Sequence, residues 1–132
     1  MSLYPGTPYE YASVAPEGAL VFTAGACPLD AEGGVVAPGD HEGQARQALA
    51  NLQVALADAG SSFEQVLKTT VFVVAKDRSE LVKTWNVVAD TFSPARPPST
   101  LLGVSILGYP DQFVEVEAVA FTRRGPRESG RT

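Results

Sequence analysis

Two carboxylates, Glu115 and Glu117, stand inside an otherwise apolar run, FVEVEAVAF. Side chains alternate along a strand. Phe113, Glu115, Glu117, Val119 and Phe121 therefore point one way, and Val114, Val116, Ala118 and Ala120 the other. The second set suits a core. The first sets carboxylates among large apolar groups, where burial is costly without a partner or a task. A carboxylate so placed can take a proton from water or orient it for attack. Glu115 and Glu117 are both so placed, and the residues alone do not choose between them: the plainer reading is two polar residues on an exposed strand face, Glu117 as an ion-pair partner at an interface. The other reactive types are few. Cys27 is the single cysteine and His41 the single histidine. They form no ligand set of recognised spacing, so no metal is expected. Cys27 reads as a small buried apolar group, and His41 as a solvated residue at a helix start. Lys68 is a strand lysine near the same region, its stem lying along apolar surface.

The elements that must position Glu115 follow from periodicity. Residues 1–10 are loop-like, broken by Pro5, Gly6 and Pro8. A first strand is expected at about 11–15, a turn at Pro16–Gly18 and a second strand at Ala19–Ala24. The Gly- and Pro-rich stretch after it reads as an excursion with a short strand near Val35 and Val36. Ala45, Leu49, Leu52, Leu56 and Ala59 then repeat at helical spacing. Asp40 is the expected N-cap and Gly60 the glycine past the end. Val66–Ala75 is rich in β-branched residues, apolar on both alternating sets, and reads as a central strand. Asp77 and Glu80 suggest a capping box opening a second helix with Leu81, Trp85, Val88 and Phe92 on its buried stripe. Pro94 stops it. Strands at about 100–107 and 113–122 close the domain.

The order β-β-(β)-α-β-α-β-β predicts an α+β, two-layer sandwich: a mixed β-sheet with two helices on one face. Residues 1–122 form a single domain, and 123–132 a polar tail expected to be disordered. The other sheet face, bearing Glu115, is left uncovered. An apolar face of that size predicts an oligomer whose sheets pack together. The chain has 132 residues and a net charge of −5. That charge opposes non-specific binding to nucleic acid or to an anionic membrane. The first residues show no basic-then-apolar leader, and no run approaches the roughly 20 apolar residues that span a bilayer. A cytoplasmic protein is expected.

The stretch GALVFTAGACPLD resembles the Rid (YjgF/L-PSP) family motif, a strand ending in Ser-Gly-Gln-hydrophobic-Pro. QARQALANLQVALADAGSSFEQVLKTTVFV is similar to that family's middle segment, and VEVEAVA to its closing strand. The resemblance runs from about Tyr11 to Phe121. It implies a chorismate-mutase-like fold and a homotrimer with three clefts between subunits. It also implies hydrolysis of small reactive enamines and imines to keto acids and ammonia, without a cofactor, as in 2-iminobutanoate/2-iminopropanoate deaminases. Carried over by position, Glu115 orients the attacking water and Tyr11 stands at the cleft entrance. Gly25 lets substrate approach the backbone, and Asn86 lies on the second helix. Two positions depart. Ala24 stands where active members carry serine. The arginine that grips the substrate carboxylate is either Arg96, from the triplet PAR, or is replaced by Ser99 when TLLGV is aligned as the strand. The strand alignment is preferred, because a slip exchanges buried and exposed faces. A serine hydroxyl cannot reproduce a bidentate guanidinium–carboxylate pair. Two alternatives to deaminase activity stand beside it: a divergent member with another substrate, and a non-catalytic trimer that binds a small ligand or a protein partner.

Overall fold

The structure is a computed structural model that describes residues 5, 6, 8–10 and 18–123. The strand expected at 11–15, Tyr11 and the tail beyond Arg123 lie outside the described residues. Among the described residues the strands and α-helices follow in the order β1 (Ala19–Phe22), α1 (His41–Asp58), β2 (Val66–Val74), α2 (Arg78–Phe92), β3 (Ser99–Val104) and β4 (Val114–Thr122), with a 3-10 turn at Phe63–Gln65 before β2. The strands form one mixed sheet in the order β1-β4-β2-β3. β4 runs antiparallel to β1 and β2, while β3 is parallel to β2. Both helices lie on one face, so the two-layer α+β architecture holds. Among the described residues no helix is long and apolar enough to cross a membrane.

α1 starts where the Asp40 carboxylate accepts the Gly43 N–H, 3.0 Å away. It ends with Gly60 at φ +81°, a left-handed value that glycine adopts without strain. There the Gly60 and Ser61 N–H groups close on the carbonyls of Ala57 and Leu56. Between these caps Ala45, Ala48, Leu49, Leu52 and Leu56 are buried, at helical spacing. They meet Val71, Val73, Val114, Val116, Ala118 and Ala120 from the sheet in one apolar cluster. Burying each Leu of this kind stabilises by about 1.5–3 kcal/mol. α2 adds Thr84, Val87, Val88 and Phe92, with Leu81 and Trp85 half-buried at its margin. Its Asp77 cap accepts the Glu80 N–H. The reciprocal bond runs from Lys76 N–H to Glu80 Oε1, 2.7 Å, one residue earlier than in the usual box.

Three expectations change. His41 is buried rather than solvated, at 8% exposure. Its Nε2 lies 2.8 Å from the Val74 carbonyl, which can only accept, so Nε2 carries the proton. Its ring stacks on Phe113 at 5.2 Å. The first turn of α1 sits over the end of β2, and that placement swallows the side chain. The strand near Val35 is only an isolated bridge, Leu29 to Val35. β3 ends at Val104 instead of 107, because Ile106 and Tyr109 turn outward into an exposed loop.

Register fixes the second face. Glu115 pairs with Phe72 and Glu117 with Thr70. Phe72 pairs with Leu102 and Thr70 with Thr100, and Phe22 pairs with Val119. Residues directly opposite share a face. The side away from the helices therefore carries Glu115 and Glu117 beside Phe22, Phe72, Leu102 and Val119. Phe22 is 72% exposed and Leu20 51%.

Candidate functional site

β4 fixes the direction of Glu115. Val114 and Val116, its neighbours in sequence, are fully buried under the helices, so its side chain must leave on the open face. The chain after β1 continues alongside β4. Ala26 and Val116 exchange both backbone hydrogen bonds, at 2.7 and 3.1 Å. Thr23 binds Ala118 through its own N–H and through its hydroxyl oxygen. Asn51 of α1 clamps the same segment, donating to the carbonyls of Cys27 and Leu29 at 2.8 and 2.9 Å.

This course lays Gly25 against the Glu115 carboxylate. A Cβ on residue 25 would stand 1.9 Å from Glu115 Oε2, so only glycine fits without displacing the acid. Two side chains meet the other oxygen. Gln112 Nε2 donates to Oε1 over 3.1 Å, and the Cys27 thiol lies 3.5 Å from it. Burial, followed by the negative charge of Glu115, pushes the Cys27 thiol up from its ordinary value. It stays protonated near neutral pH and serves as a donor.

Gln112 is itself fixed from below. Buried Gln44 of α1 donates to the carbonyls of Val36 and Asp111, at 3.1 and 2.8 Å, and accepts the Phe113 N–H at 2.7 Å. The 109–113 turn is thereby pinned to the helix layer while its Gln112 reaches the open face. Neither glutamine stood out in the sequence; both sit in polar, loop-flanking contexts that resemble solvent positions. The signal that could have raised Gln44 is its place on the apolar stripe of α1, one residue before Ala45.

The remaining candidates separate. Ala24 is exposed beside Gly25 and offers no hydroxyl. Ser99 opens β3 with its Oγ accepting from Thr69 Oγ1 at 2.7 Å, on the side facing the helices. The open-face position at that strand entry is Thr100, whose Oγ1 takes a hydrogen bond from Lys68 Nζ at 3.0 Å. Ser99 borders a groove of about 450 Å³ with Tyr9, Trp85 and Leu101; Glu115 is not part of it. Arg96 is exposed in the loop before β3, and its carbonyl accepts the Glu10 N–H at 2.8 Å. Asn86 is exposed on α2, so within one chain the sheet separates it from Glu115. The structure thus brings Glu115 and Gly25 together, adds Cys27 and Gln112, and leaves Arg96, Ser99 and Asn86 elsewhere.

An ionised carboxylate with one oxygen held by donors can accept a proton from water or aim it at an electrophilic carbon. Residues 2–122 match the family described as Endoribonuclease L-PSP. A RutC family protein of Pyrococcus horikoshii is 36% identical over 117 residues, 89% of each chain. A Salmonella typhimurium protein named 2-iminobutanoate/2-iminopropanoate deaminase is 34% identical over 110 residues, 80% of this chain and 82% of that one. A Yersinia pestis crystal structure, described as a protein of unknown function of the conserved Rid family, superposes with a TM-score of 0.84. It is 28% identical and covers 91% of this chain and 92% of its own.

Proposed function

The chain belongs to the Rid/YjgF family, and from that premise we propose that it hydrolyses small reactive imines and enamines to keto acids and ammonia. The observation that carries this reading is the Glu115 carboxylate, held through Oε1 on the open sheet face with Gly25 bare beside it. An enamine enters as its imine tautomer, after protonation on carbon. Water then adds to the C=N carbon. The new C–O bond forms, the π pair moves to nitrogen, and Glu115 takes a proton from the water. Glu115 passes that proton to nitrogen, giving the neutral carbinolamine. The carboxylate then carries the carbinolamine O–H proton to nitrogen as well, the C–N bond breaks, the oxygen pair closes the C=O bond, and ammonia leaves. No electron acceptor is needed, and the chemistry asks for no cofactor.

In the same reading the chain works as a cytoplasmic homotrimer, and the open face is completed by neighbouring copies. Each Glu115 then sits in a cleft between subunits, where Tyr11 stands at the entrance. Asn86 lines the cleft from the helix layer of an adjacent copy. A monomeric mass by light scattering at micromolar concentration would remove this part. Cleavage of RNA is disfavoured by the net charge of −5 and by the burial of the single histidine, whose Nε2 is committed to the Val74 carbonyl.

A second reading, a divergent member with another substrate or a binding role, is favoured by one specific observation. Ala24 supplies no hydroxyl, and Ser99 Oγ is committed to Thr69 on the far side of the sheet. A substrate gripped without a guanidinium–carboxylate pair suits that arrangement. The test is ammonia and keto-acid release from imines made in situ by an amino-acid oxidase or a dehydratase. Acceleration is expected, reduced about 10²- to 10⁴-fold in Glu115→Gln. No acceleration by a folded oligomer over a panel of imines would sink the deaminase and leave the second reading.

A further inference from the structure

We propose that Gln112 and Cys27 are positioning residues for Glu115: their donors fix Oε1, so that Oε2, seated over Gly25, is the oxygen that orients water. The proposal rests on the reading that Glu115 handles the attacking water.

Every polar atom of the Gln112 amide is engaged. Its oxygen accepts the Tyr109 N–H at 3.1 Å. Its nitrogen donates to the Val114 carbonyl and to Glu115 Oε1, each at 3.1 Å. Tyr109 N–H can only donate, and the Val114 carbonyl only accept, so the amide cannot be turned over. Gln112 is 2% exposed, so solvent cannot replace these bonds. Its donor approaches from the 109–112 turn and the Cys27 thiol from the strand extension after β1. The thiol has one proton and two acceptors in reach, Oε1 at 3.5 Å and the Gly25 carbonyl at 3.6 Å. Both donors that reach the acid among the described residues meet the same oxygen. Oε2 lies where a side chain at residue 25 would be. A carboxylate anchored through one oxygen cannot swing, and a fixed base loses less on reaching the transition state.

Cys27 is the only cysteine, so its alkylation reports on the cluster directly. Glu115 is the one titratable group that bears on the thiol among the described residues. Burial and Glu115 raise the thiol, while the Gln112 amide pulls the other way. Iodoacetamide labelling across pH should therefore show its midpoint moved down in Glu115→Gln and up in Gln112→Met. Midpoints unmoved in both variants would overturn the cluster. That readout needs no turnover, so it stands or falls apart from the deaminase reading. In the deaminase assay, Gln112→Met should lower kcat about tenfold or more, as expected for loss of a hydrogen bond to a charged group. KM should stay within about twofold, since the bond acts on water and not on substrate binding. Cys27→Ala should fall in the same direction, and Cys27→Ser, which keeps an O–H donor, should recover. In a Glu115→Gln background neither substitution should cost further rate. A raised KM with unchanged kcat, or losses that persist in the Glu115→Gln background, would reduce both residues to ordinary packing.

Discussion

The two faces of β4 solve the same problem by different means. Toward the helices, Val114, Val116, Ala118 and Ala120 are at most 3% exposed and are stabilised by burial alone. Away from the helices, Glu115 is held by hydrogen bonds to groups that are distant in sequence or sit in a turn, Cys27 and Gln112. The covered face is non-directional and tolerates any apolar set of the right volume. The open face is directional, and its polar atoms depend on particular partners. The covered face can therefore carry the stability of the fold, and the open face can carry chemistry, with little interference between them.

The sharpest way to break that contrast is to remove apolar bulk from each side. Leu52 is fully buried in α1. Leu52→Ala should destabilise by about 2–5 kcal/mol in urea unfolding, with activity per folded molecule unchanged. Phe22, 72% exposed on the open face, should behave oppositely. Phe22→Ser should change unfolding of the isolated chain by no more than about 0.5 kcal/mol and instead weaken self-association in light scattering. An equal unfolding cost at both sites would show that the open face is part of the fold's own core.

A smaller effect is expected where the faces are joined. Gln44 is fully buried in the helix layer, yet it holds the turn that carries Gln112. Gln44→Leu keeps the volume and leaves the Phe113 N–H without its acceptor, a loss of about 1–3 kcal/mol. Hydrogen exchange at the Phe113 amide should quicken with it. Unchanged exchange there would show that the turn holds itself.

Legibility in the sequence followed the same division. The stripe of α1 and the caps at Asp40, Gly60 and Asp77 are local, and the structure keeps them. The alternation of β4 is kept from Val114 to Ala120, but Phe113, expected on the face of Glu115, packs against the core and stacks on His41 of α1, and Phe121 is buried. What escaped depends on partners brought in by the fold. His41 reads as solvated until β2 delivers the Val74 carbonyl, 33 residues away. Cys27 reads as packing until it meets Glu115 across 88 residues. The entry to β3 had a different obstacle. Leu101 and Leu102 are apolar on both alternating sets, so period alone could not say whether Ser99 or Thr100 shares the face of Glu115. Pairing with β2 puts Thr100 there.

The smallest effect concerns the helix layer's own edge, where a charge works without burial. The Ser79 hydroxyl, then the Glu80 N–H, hold the Asp77 carboxyl below its ordinary value. Its folded pKa is thus depressed relative to the unfolded chain. The sign follows from linkage: the stabilisation is present above the ordinary carboxylate pKa of about 3.9 and is lost as pH falls through the folded value. Asp77→Asn keeps a good N-cap but removes the charge. The advantage of the native residue over Asn should therefore be constant from pH 7 to about 5 and shrink below pH 4, read as the difference in Tm between the two proteins. A difference that stays flat down to pH 3 would mean that the cap acts through geometry alone. The helix layer would then contain no charge-dependent contribution at this cap, which would leave the contrast with the open face sharper than drawn.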